Sequence, residues 1–281
     1  METTQKQIIA NALATLTENI SQNRLAKKAG VSSATISQMI NGKHALISDE
    51  MWLKVQVSLK IDTDWQIVAT KNYGILTSYL KLAKRQFMNL AFSHHEGSGK
   101  SQAFSDFEKT TPNVIYLECA TYWSRKNLVR ALITQAGLDE EGNITYLVDR
   151  LVDHLQGLKN PVVIIDQADK LSDTSLDLLI DFHNRMNGQC SFIMSGVQAL
   201  QIRVEKGYKK NKTGYRELYS RFGRKFIQLE KLSKLDCKKI CEANGVDDKD
   251  TIEHIYNTMD DDLRILKKEV NKYLLKKAQA A

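Results

Sequence analysis

Phosphate-binding chemistry is suggested by the residues Gly97-Ser98-Gly99-Lys100-Ser101. An apolar run over residues 87–93 precedes them and predicts a buried strand, and a helix-compatible segment follows. In such a strand–loop–helix layout, backbone N–H groups enclose phosphates, the lysine reaches the β- and γ-phosphates, and the serine hydroxyl holds Mg²⁺. The helix N-terminus adds a positive dipole end. The sequence therefore predicts a site for ATP and Mg²⁺ formed by Glu96 and the five residues after it.

The motif departs from the full pattern G-x-x-x-x-G-K-[ST] at His94, which stands where the first glycine is expected. The departure is tolerable because backbone amides from Glu96 onward can still cradle phosphate. The second half of the site is predicted at Asp166, which ends the apolar run 162–165 and is placed to hold Mg²⁺ through water, opposite Ser101. This pairing favours nucleotide binding over a chance turn that carries a surface lysine.

Apolar strands alternate with amphipathic helices in the middle of the chain. Further strands are predicted at residues 114–117 and 191–194, and helices at 73–86, 124–133, 143–158 and 175–186. Continuous apolar strands separated by helices are typical of a parallel α/β sheet covered on both faces. Beyond Leu232 only helical patterns remain. The predicted fold class is therefore α/β, with a helical C-terminal segment.

The first 60 residues are predicted to be all-helical. A short helix with Leu25 and Ala26 stops at Gly30, and Ser32 is the N-cap expected for a second helix with Ile36 inward. This arrangement is typical of a helix-turn-helix, whose second helix enters the major groove of DNA. The residues available for base or phosphate contacts are Ser33, Thr35, Ser37 and Gln38. A small helical bundle for protein contacts remains the alternative.

Residues 22–37 fit Gln-x-x-Leu-Ala-x-x-Ala-Gly-Val-Ser-x-x-x-Ile-Ser and resemble the Cro/repressor-type helix-turn-helix. The rest of the chain resembles the AAA+ ATPases, and more closely the Mu B-type transposition ATPases. This second resemblance is carried by residues 97–101, 164–171, 193–196, 220–224 and 262–266.

The resemblance implies an AAA+ core with a helical lid. Its domains are then residues 1–62 (helix-turn-helix), 63–86 (linker and leading helix), 87–230 (α/β ATPase core) and 231–281 (lid). It further implies that Lys100 and Ser101 bind phosphate and Mg²⁺, and that Asp166 is the metal-side carboxylate. The remaining implied roles are a sensor at Ser195, a finger for a neighbouring subunit's nucleotide at Arg221 or Arg224, and a lid sensor at Arg264. Surface ion pairs are the alternative for these arginines.

Gln167 is a departure from the family, which usually places a glutamate after the strand-end aspartate. A glutamine can hydrogen-bond a water but cannot take its proton at neutral pH. We therefore expect ATP to be bound but hydrolysed slowly or not at all. The sequence leaves open whether the glutamine is natural or introduced to stop hydrolysis.

Two basic regions are candidates for DNA contact besides the helix-turn-helix. In Mu B-like assemblies the region of Tyr122, Arg125 and Lys126 faces DNA, although an ordinary helix start would have similar residues. The second region spans residues 203–225, with nine Lys or Arg against two Glu, an excess equal to the net charge of +7. Its centre is predicted to be a flexible basic loop, with DNA contacts from Lys206, Lys209, Lys210 and Lys212.

The remaining features bear on location. The sequence has no apolar run long enough for a membrane span and no secretory signal, which predicts a cytoplasmic protein without a membrane partner. The four cysteines are scattered and are expected to be reduced thiols.

We expect an ATP-dependent DNA-binding protein that oligomerises as a filament or ring on duplex DNA, largely without sequence preference. Its role in directing a transposase is implied by the resemblance alone. Two other functions stay open: a helix-turn-helix transcriptional regulator with an ATPase switch, and an initiator or loader ATPase for replication.

Overall fold

The computed structural model describes residues 2–62 and 65–280. The N-terminal part is a bundle of α1 (Thr3–Thr17), α2 (Gln22–Ala29), α3 (Ser33–Ile40) and α4 (Asp49–Ser58). Gly30 ends α2 in the left-handed region with φ 64°, and the Ser32 hydroxyl accepts a hydrogen bond from Thr35 N at the start of α3. The bundle closes on Trp52 and Ile36, which are fully buried. The predicted helix-turn-helix is confirmed.

A five-stranded parallel sheet forms the centre of the molecule, in the order β2-β3-β4-β1-β5. Its strands are β1 (Leu90–Ser93), β2 (Val114–Glu118), β3 (Val162–Asp166), β4 (Ser191–Gly196) and β5 (Phe226–Ile227). Because the strands are parallel, the ends that carry Ser93, Glu118, Asp166 and Gly196 share one edge. The predicted α/β fold is confirmed, and β5 is a strand that the sequence did not predict.

Helices cover both faces of this sheet. One face carries α5 (Lys71–Gln86) and α6 (Lys100–Thr110), which pack Leu76, Leu80 and Phe104 against Phe92. The helices on the other face are α7 (Arg125–Ala136), α8 (Ile144–Gln156), α9 (Asp173–Met186), α10 (Gln198–Lys209) and α11 (Tyr215–Arg221). Apolar side chains on both sides of each strand explain why the strands have continuous rather than alternating hydrophobic sequences.

The C-terminal part consists of α12 (Lys234–Ala243), α13 (Lys249–Thr258) and α14 (Leu263–Ala280) around a separate apolar core. Trp65 and Val68, from the stretch before α5, pack against this core. Gln66 N donates to Asn244 Oδ1 at 2.8 Å, so the described part of the predicted linker is held against the C-terminal helices.

The predicted flexible basic loop around residues 206–212 is wrong for its first half. Lys206 and Lys209 lie on α10, which packs so closely on α11 that a Cβ at Gly207 would lie 2.3 Å from the Tyr215 ring. Lys212 follows in the short connection and forms an ion pair with Asp173. The lysines at positions 206–212 conceal the end of a helix, because the buried apolar residues that mark it, Leu200 and Val204, lie before them.

The helix-turn-helix bundle is attached to the sheet domain through α2. Arg24 Nη2 donates to Glu108 Oε1 at 2.8 Å, and Lys28 Nζ donates to Glu108 Oε2 at 2.5 Å. Arg24 Nε also donates to Gln135 O at 2.6 Å. Glu108 is 3% exposed and each cation 12%, so the cluster is buried between the two units.

None of the described helices has a stretch that is both long and apolar enough to span a lipid bilayer.

Candidate functional site

The loop between β1 and α6 has two glycines in backbone conformations that are unfavourable for residues with a side chain. Gly97 and Gly99 have φ of 72° and 87°, in the left-handed region. A Cβ at Gly97 would lie 2.0 Å from Asp262 Oδ1, at the junction of α13 and α14. Leu263 N donates to Gly97 O at 2.9 Å. The loop is therefore held directly against the C-terminal helices.

Lys100 is 7% exposed at the first turn of α6. Its ammonium donates to His94 O and His95 O, both at 2.9 Å, and to Ser98 Oγ at 3.0 Å. Burial lowers the pKa of Lys100, and the negative charge of Asp166 opposes this shift. Among the described residues no carboxylate lies within ion-pair distance of the ammonium. A buried cation held by neutral oxygens at a loop suits an incoming anion.

Asp166 lies 1% exposed at the end of β3 and faces the start of α6. Ser101 Oγ donates to Asp166 Oδ2 at 2.5 Å, and Tyr116 OH donates to the same oxygen at 3.3 Å. Burial and the charge of Asp166 raise the pKa of Tyr116, so its hydroxyl stays protonated. A hydroxyl and a carboxylate in contact form the kind of oxygen set that Mg²⁺ takes.

Gln167 follows Asp166 with φ 56°, a left-handed conformation for a residue with a side chain. Its backbone N donates to Asp166 Oδ1 at 2.9 Å, and its Nε2 donates to Glu118 Oε1 at 2.5 Å. Its Oε1 accepts a hydrogen bond from Lys170 Nζ. Both ends of the amide are thereby engaged, which fixes the side chain beside Asp166.

A cleft of ≈1480 Å³ opens over these residues. Its walls include the loop 96–101, Asp166, Gln167, Gly196, Leu263 and Arg264. Lys60 of the N-terminal bundle and Glu118 of β2 also line it. The buried ammonium, the Ser101–Asp166 pair and the open cleft fit a nucleoside triphosphate with Mg²⁺.

The predicted sensor residues occupy different positions relative to this cleft. Ser195 is fully buried near the end of β4, and its hydroxyl has no hydrogen-bond partner in the described part of the chain. Gly196 lines the cleft and Ser195 does not. Arg264 lines the cleft at the start of α14, where its Nε donates to Asp262 Oδ1 at 3.0 Å.

Arg221 and Arg224 lie away from the cleft, after β4 and before β5. Arg221 forms an ion pair with Glu217 at 3.3 Å, one helical turn away. Arg224 is exposed, in a left-handed conformation with φ 55°. Neither lines the cleft of its own chain.

The candidate DNA-contacting residues form separate surfaces. Tyr122 is 83% exposed, and Arg125 and Lys126 are exposed at the first turn of α7. On α3, Ser33 is exposed, whereas Thr35, Ser37 and Gln38 are half-buried. The hydroxyls of Thr35 and Ser37 are hydrogen-bonded to other residues of the bundle. Lys206, Lys209, Lys210 and Lys212 are exposed at the end of α10 and just after it.

Sequence reasoning missed Glu118, which ends β2 and meets the Gln167 amide. It also missed Lys60, whose Nζ lies 2.5 Å from Glu118 Oε2. The signal for Glu118 was present in its position, because it follows an apolar strand as Asp166 does. No local pattern marks Lys60, which reaches the site only through the docking of the bundle.

Comparisons with known proteins agree with this architecture. Residues 91–204 match the family model described as AAA domain, and residues 16–66 match the one described as helix-turn-helix. The solved structure of the Aeropyrum pernix Orc1 protein in complex with DNA is similar in fold, with a TM-score of 0.55 and 15% sequence identity. The similarity covers 74% of this chain and 60% of that chain, so less than two thirds of that protein is spanned. No curated protein matches the sequence.

The chain therefore joins an N-terminal helix-turn-helix to an AAA-type domain, with the fold expected from the sequence.

Proposed function

We propose that this protein is an ATP-binding AAA+ ATPase that works on duplex DNA. The observation that carries the proposal is the Lys100 ammonium, which is buried near the Ser101–Asp166 pair and has no carboxylate within ion-pair distance among the described residues. Lys100 would exchange its carbonyl and hydroxyl contacts for phosphate oxygens. Ser101 and Asp166 would hold Mg²⁺, which supplies positive charge beside the phosphates. The AAA domain match supports the same function.

ATP binding is tested with Lys100→Ala and a matched exposed lysine. Lys81 lies on the exposed side of α5, so Lys81→Ala removes the same charge as Lys100→Ala at a position outside the site. We expect Lys100→Ala to abolish binding of a fluorescent ATP analogue and Lys81→Ala to bind as the unaltered chain does. Equal binding by all three would refute the nucleotide site.

Slow hydrolysis is the second part of the proposal. The Gln167 amide is bonded at both ends and cannot accept a proton from water. We expect Gln167→Glu to raise the rate of phosphate release in the presence of Mg²⁺. If turnover does not rise, Gln167 does not limit hydrolysis.

We further propose that the protein assembles on duplex DNA as a filament or ring and directs a transposase, as in the Mu B-type ATPases it resembles. The exposed surface of Tyr122, Arg125 and Lys126 supports contact with phosphates. Arg221 and Arg224 lie outside their own cleft, which supports a role at a neighbouring subunit. Contacts to phosphates carry no sequence information, so binding would be largely non-specific.

Electron microscopy and footprinting test the assembly. With ATP and arbitrary duplex DNA we expect filaments or rings and ATP-dependent coverage of the whole duplex. Isolated particles would count against the proposal. Protection of one short palindrome would favour a transcriptional regulator, and protection of a repeated origin sequence would favour an initiator or loader.

A further inference from the structure

A second carboxylate lies at the sheet edge where Gln167 replaces the usual glutamate. Glu118 ends β2 and stands opposite Asp166 in the parallel register of β2 and β3. Its side chain is 36% exposed and lines the cleft together with Asp166 and Gln167. The neighbouring strand therefore presents a carboxylate to the same space as the nucleotide loop.

Glu118 is the carboxylate in contact with the Gln167 side chain. The contact joins Gln167 Nε2 to Glu118 Oε1 at 2.5 Å. The other strand-edge carboxylates are engaged elsewhere: Asp166 accepts from Ser101 and from the backbone N of Gln167, and Asp169 accepts from Val197 N at 3.2 Å. An amide and a carboxylate are thus in contact where both line the cleft.

Lys60 of the N-terminal bundle binds the other oxygen of Glu118. Lys60 Nζ lies 2.5 Å from Glu118 Oε2, and Lys60 O accepts a hydrogen bond from Lys109 Nζ of α6 at 3.0 Å. With Gln167 on Oε1 and Lys60 on Oε2, both oxygens of the Glu118 carboxylate are engaged while the bundle is docked. The pair is exposed, at 60% and 36%, and exposed ion pairs are weak, so it can be exchanged readily.

We propose that Glu118 is the general base for ATP hydrolysis in this chain, and that Lys60 restrains it while the bundle is docked. The proposal rests on the ATPase function proposed above. Hydrolysis by a chain that carries Gln167 would then depend on a residue of the neighbouring strand β2. Lys60 would give the helix-turn-helix unit a direct contact with the site.

Hydrolysis joins a water to the γ-phosphate and releases ADP. The water oxygen forms a bond to the γ-phosphorus while the bond from that phosphorus to the bridging oxygen breaks, and the electron pair leaves with ADP. One proton of the water moves to Glu118 and from there to the released phosphate or to solvent. The Gln167 amide orients the water and takes no proton.

The first test is Glu118→Gln, which keeps the size of the side chain and an oxygen that can accept from Gln167. Binding of a fluorescent ATP analogue and thermal stability are measured with single-turnover hydrolysis. We expect hydrolysis to fall by about 100-fold or more while binding and stability stay unchanged. Hydrolysis at the original rate, or a parallel loss of binding and stability, would overturn the role of Glu118 as a base.

The reciprocal exchange tests the same role from the other side. In Glu118→Gln combined with Gln167→Glu, the donor and acceptor of the 2.5 Å contact exchange places and a carboxylate returns to the site. We expect hydrolysis to recover relative to Glu118→Gln alone. Failure to recover would mean that the lost activity does not depend on a carboxylate at this contact.

The restraint is tested with Lys60→Gln, and its matched control is Lys27→Gln. Lys27 forms an exposed ion pair with Asp139 between the same two units, away from the cleft. We expect Lys60→Gln to hydrolyse ATP faster than the unaltered chain, Lys27→Gln to be unchanged, and Lys60→Gln with Glu118→Gln to be as slow as Glu118→Gln. A rise in both single variants, or none in Lys60→Gln, would overturn the restraint.

The experiments separate this proposal from the function on which it rests. A chain that does not bind the ATP analogue would refute the proposed ATPase function itself. A chain that binds and hydrolyses ATP with Glu118→Gln fully active would refute only the base. If ATP is bound but neither the unaltered chain nor Lys60→Gln hydrolyses it, the base and its restraint are both refuted.

Discussion

Replacing Glu108 with glutamine should release the helix-turn-helix bundle from the sheet domain. Glu108 is the carboxylate shared by Arg24 and Lys28, and its Oε1 also accepts from Tyr116 N at 3.0 Å. Arg24 and Lys28 are each 12% exposed, and this burial lowers the pKa of both. Glu108→Gln keeps the shape and removes the one negative charge between them.

The free-energy cost of Glu108→Gln depends on the hydrogen bonds that Arg24 and Lys28 keep once the negative charge is removed. Breaking a buried ion pair by neutralising one partner costs about 3–5 kcal/mol, because the other charge stays buried without compensation. Arg24 retains carbonyl partners at Gln135 O and Val114 O, which argues for the lower end of that range. A loss of about 3 kcal/mol corresponds to a change of roughly 100-fold in the ratio of docked to released bundle.

Labelling of lysine amines measures the docking directly. Lys28 is 12% exposed in the interface, whereas Lys81 is exposed on α5 and serves as an internal reference. A protected group reacts through its transiently open state. With an amine-reactive reagent and mass spectrometry, we expect acetylation of Lys28 to accelerate by about 100-fold in Glu108→Gln.

Asp139→Asn is the control for this experiment. Asp139 is 66% exposed and pairs with Lys27 between the same units, so its loss should cost about 1 kcal/mol or less. The reasoning is refuted if Lys28 reacts at the same rate in Glu108→Gln and in the unaltered chain. It is also refuted if Asp139→Asn accelerates Lys28 as much as Glu108→Gln does.

Two further changes test other parts of the fold. Hydrogen bonds from Lys212, Tyr215 and Arg203 hold the pKa of Asp173 well below its usual range. Asp173 therefore stabilises the fold at pH values above the pKa that its carboxyl has in the unfolded chain, and this stabilisation is lost as the solution is acidified. Asp173→Asn should therefore lower the melting temperature at pH 7 and reduce its fall toward pH 3; because Asp173 is partly exposed, the cost at pH 7 is about 1 kcal/mol. Gly97→Ala should abolish ATP binding, since its Cβ would collide with Asp262, whereas Gly42→Ala, with the same φ of 72° and nothing within 4 Å, should cost stability alone. Equal ATP affinities of the two glycine variants would contradict the clash.

The features that could be predicted from the sequence are those set by residues close together in the chain. The apolar strand before a glycine-rich loop located Lys100 and Ser101, and a later buried strand that ends in a carboxylate located Asp166. The fold class followed from the same alternation of strands and helices. These features are local, because each depends on residues that are close together in the chain.

What the sequence could not supply depends on residues that meet across the fold. Glu118 and Lys60 are 58 positions apart and touch only because the bundle lies against β2. The strand β5 has only two residues, too few for a pattern to be recognised. From sequence alone the lysines at the end of α10 are assigned to a loop, because a run of charged residues has the same sequence pattern on the exposed face of a helix as in a loop.

The helix α6 connects both proposals, because its first turn carries Lys100 and Ser101 and its last turn carries Glu108 and Lys109. Lys109 holds the backbone of Lys60, whose side chain restrains Glu118. A bundle released by Glu108→Gln should therefore also free Glu118, and ATP hydrolysis should rise together with the labelling of Lys28. Asp139→Asn should change both rates by about 5-fold at most. If Lys28 becomes reactive in Glu108→Gln and hydrolysis stays constant, docking of the bundle does not control the site, and the Lys60–Glu118 contact is only structural.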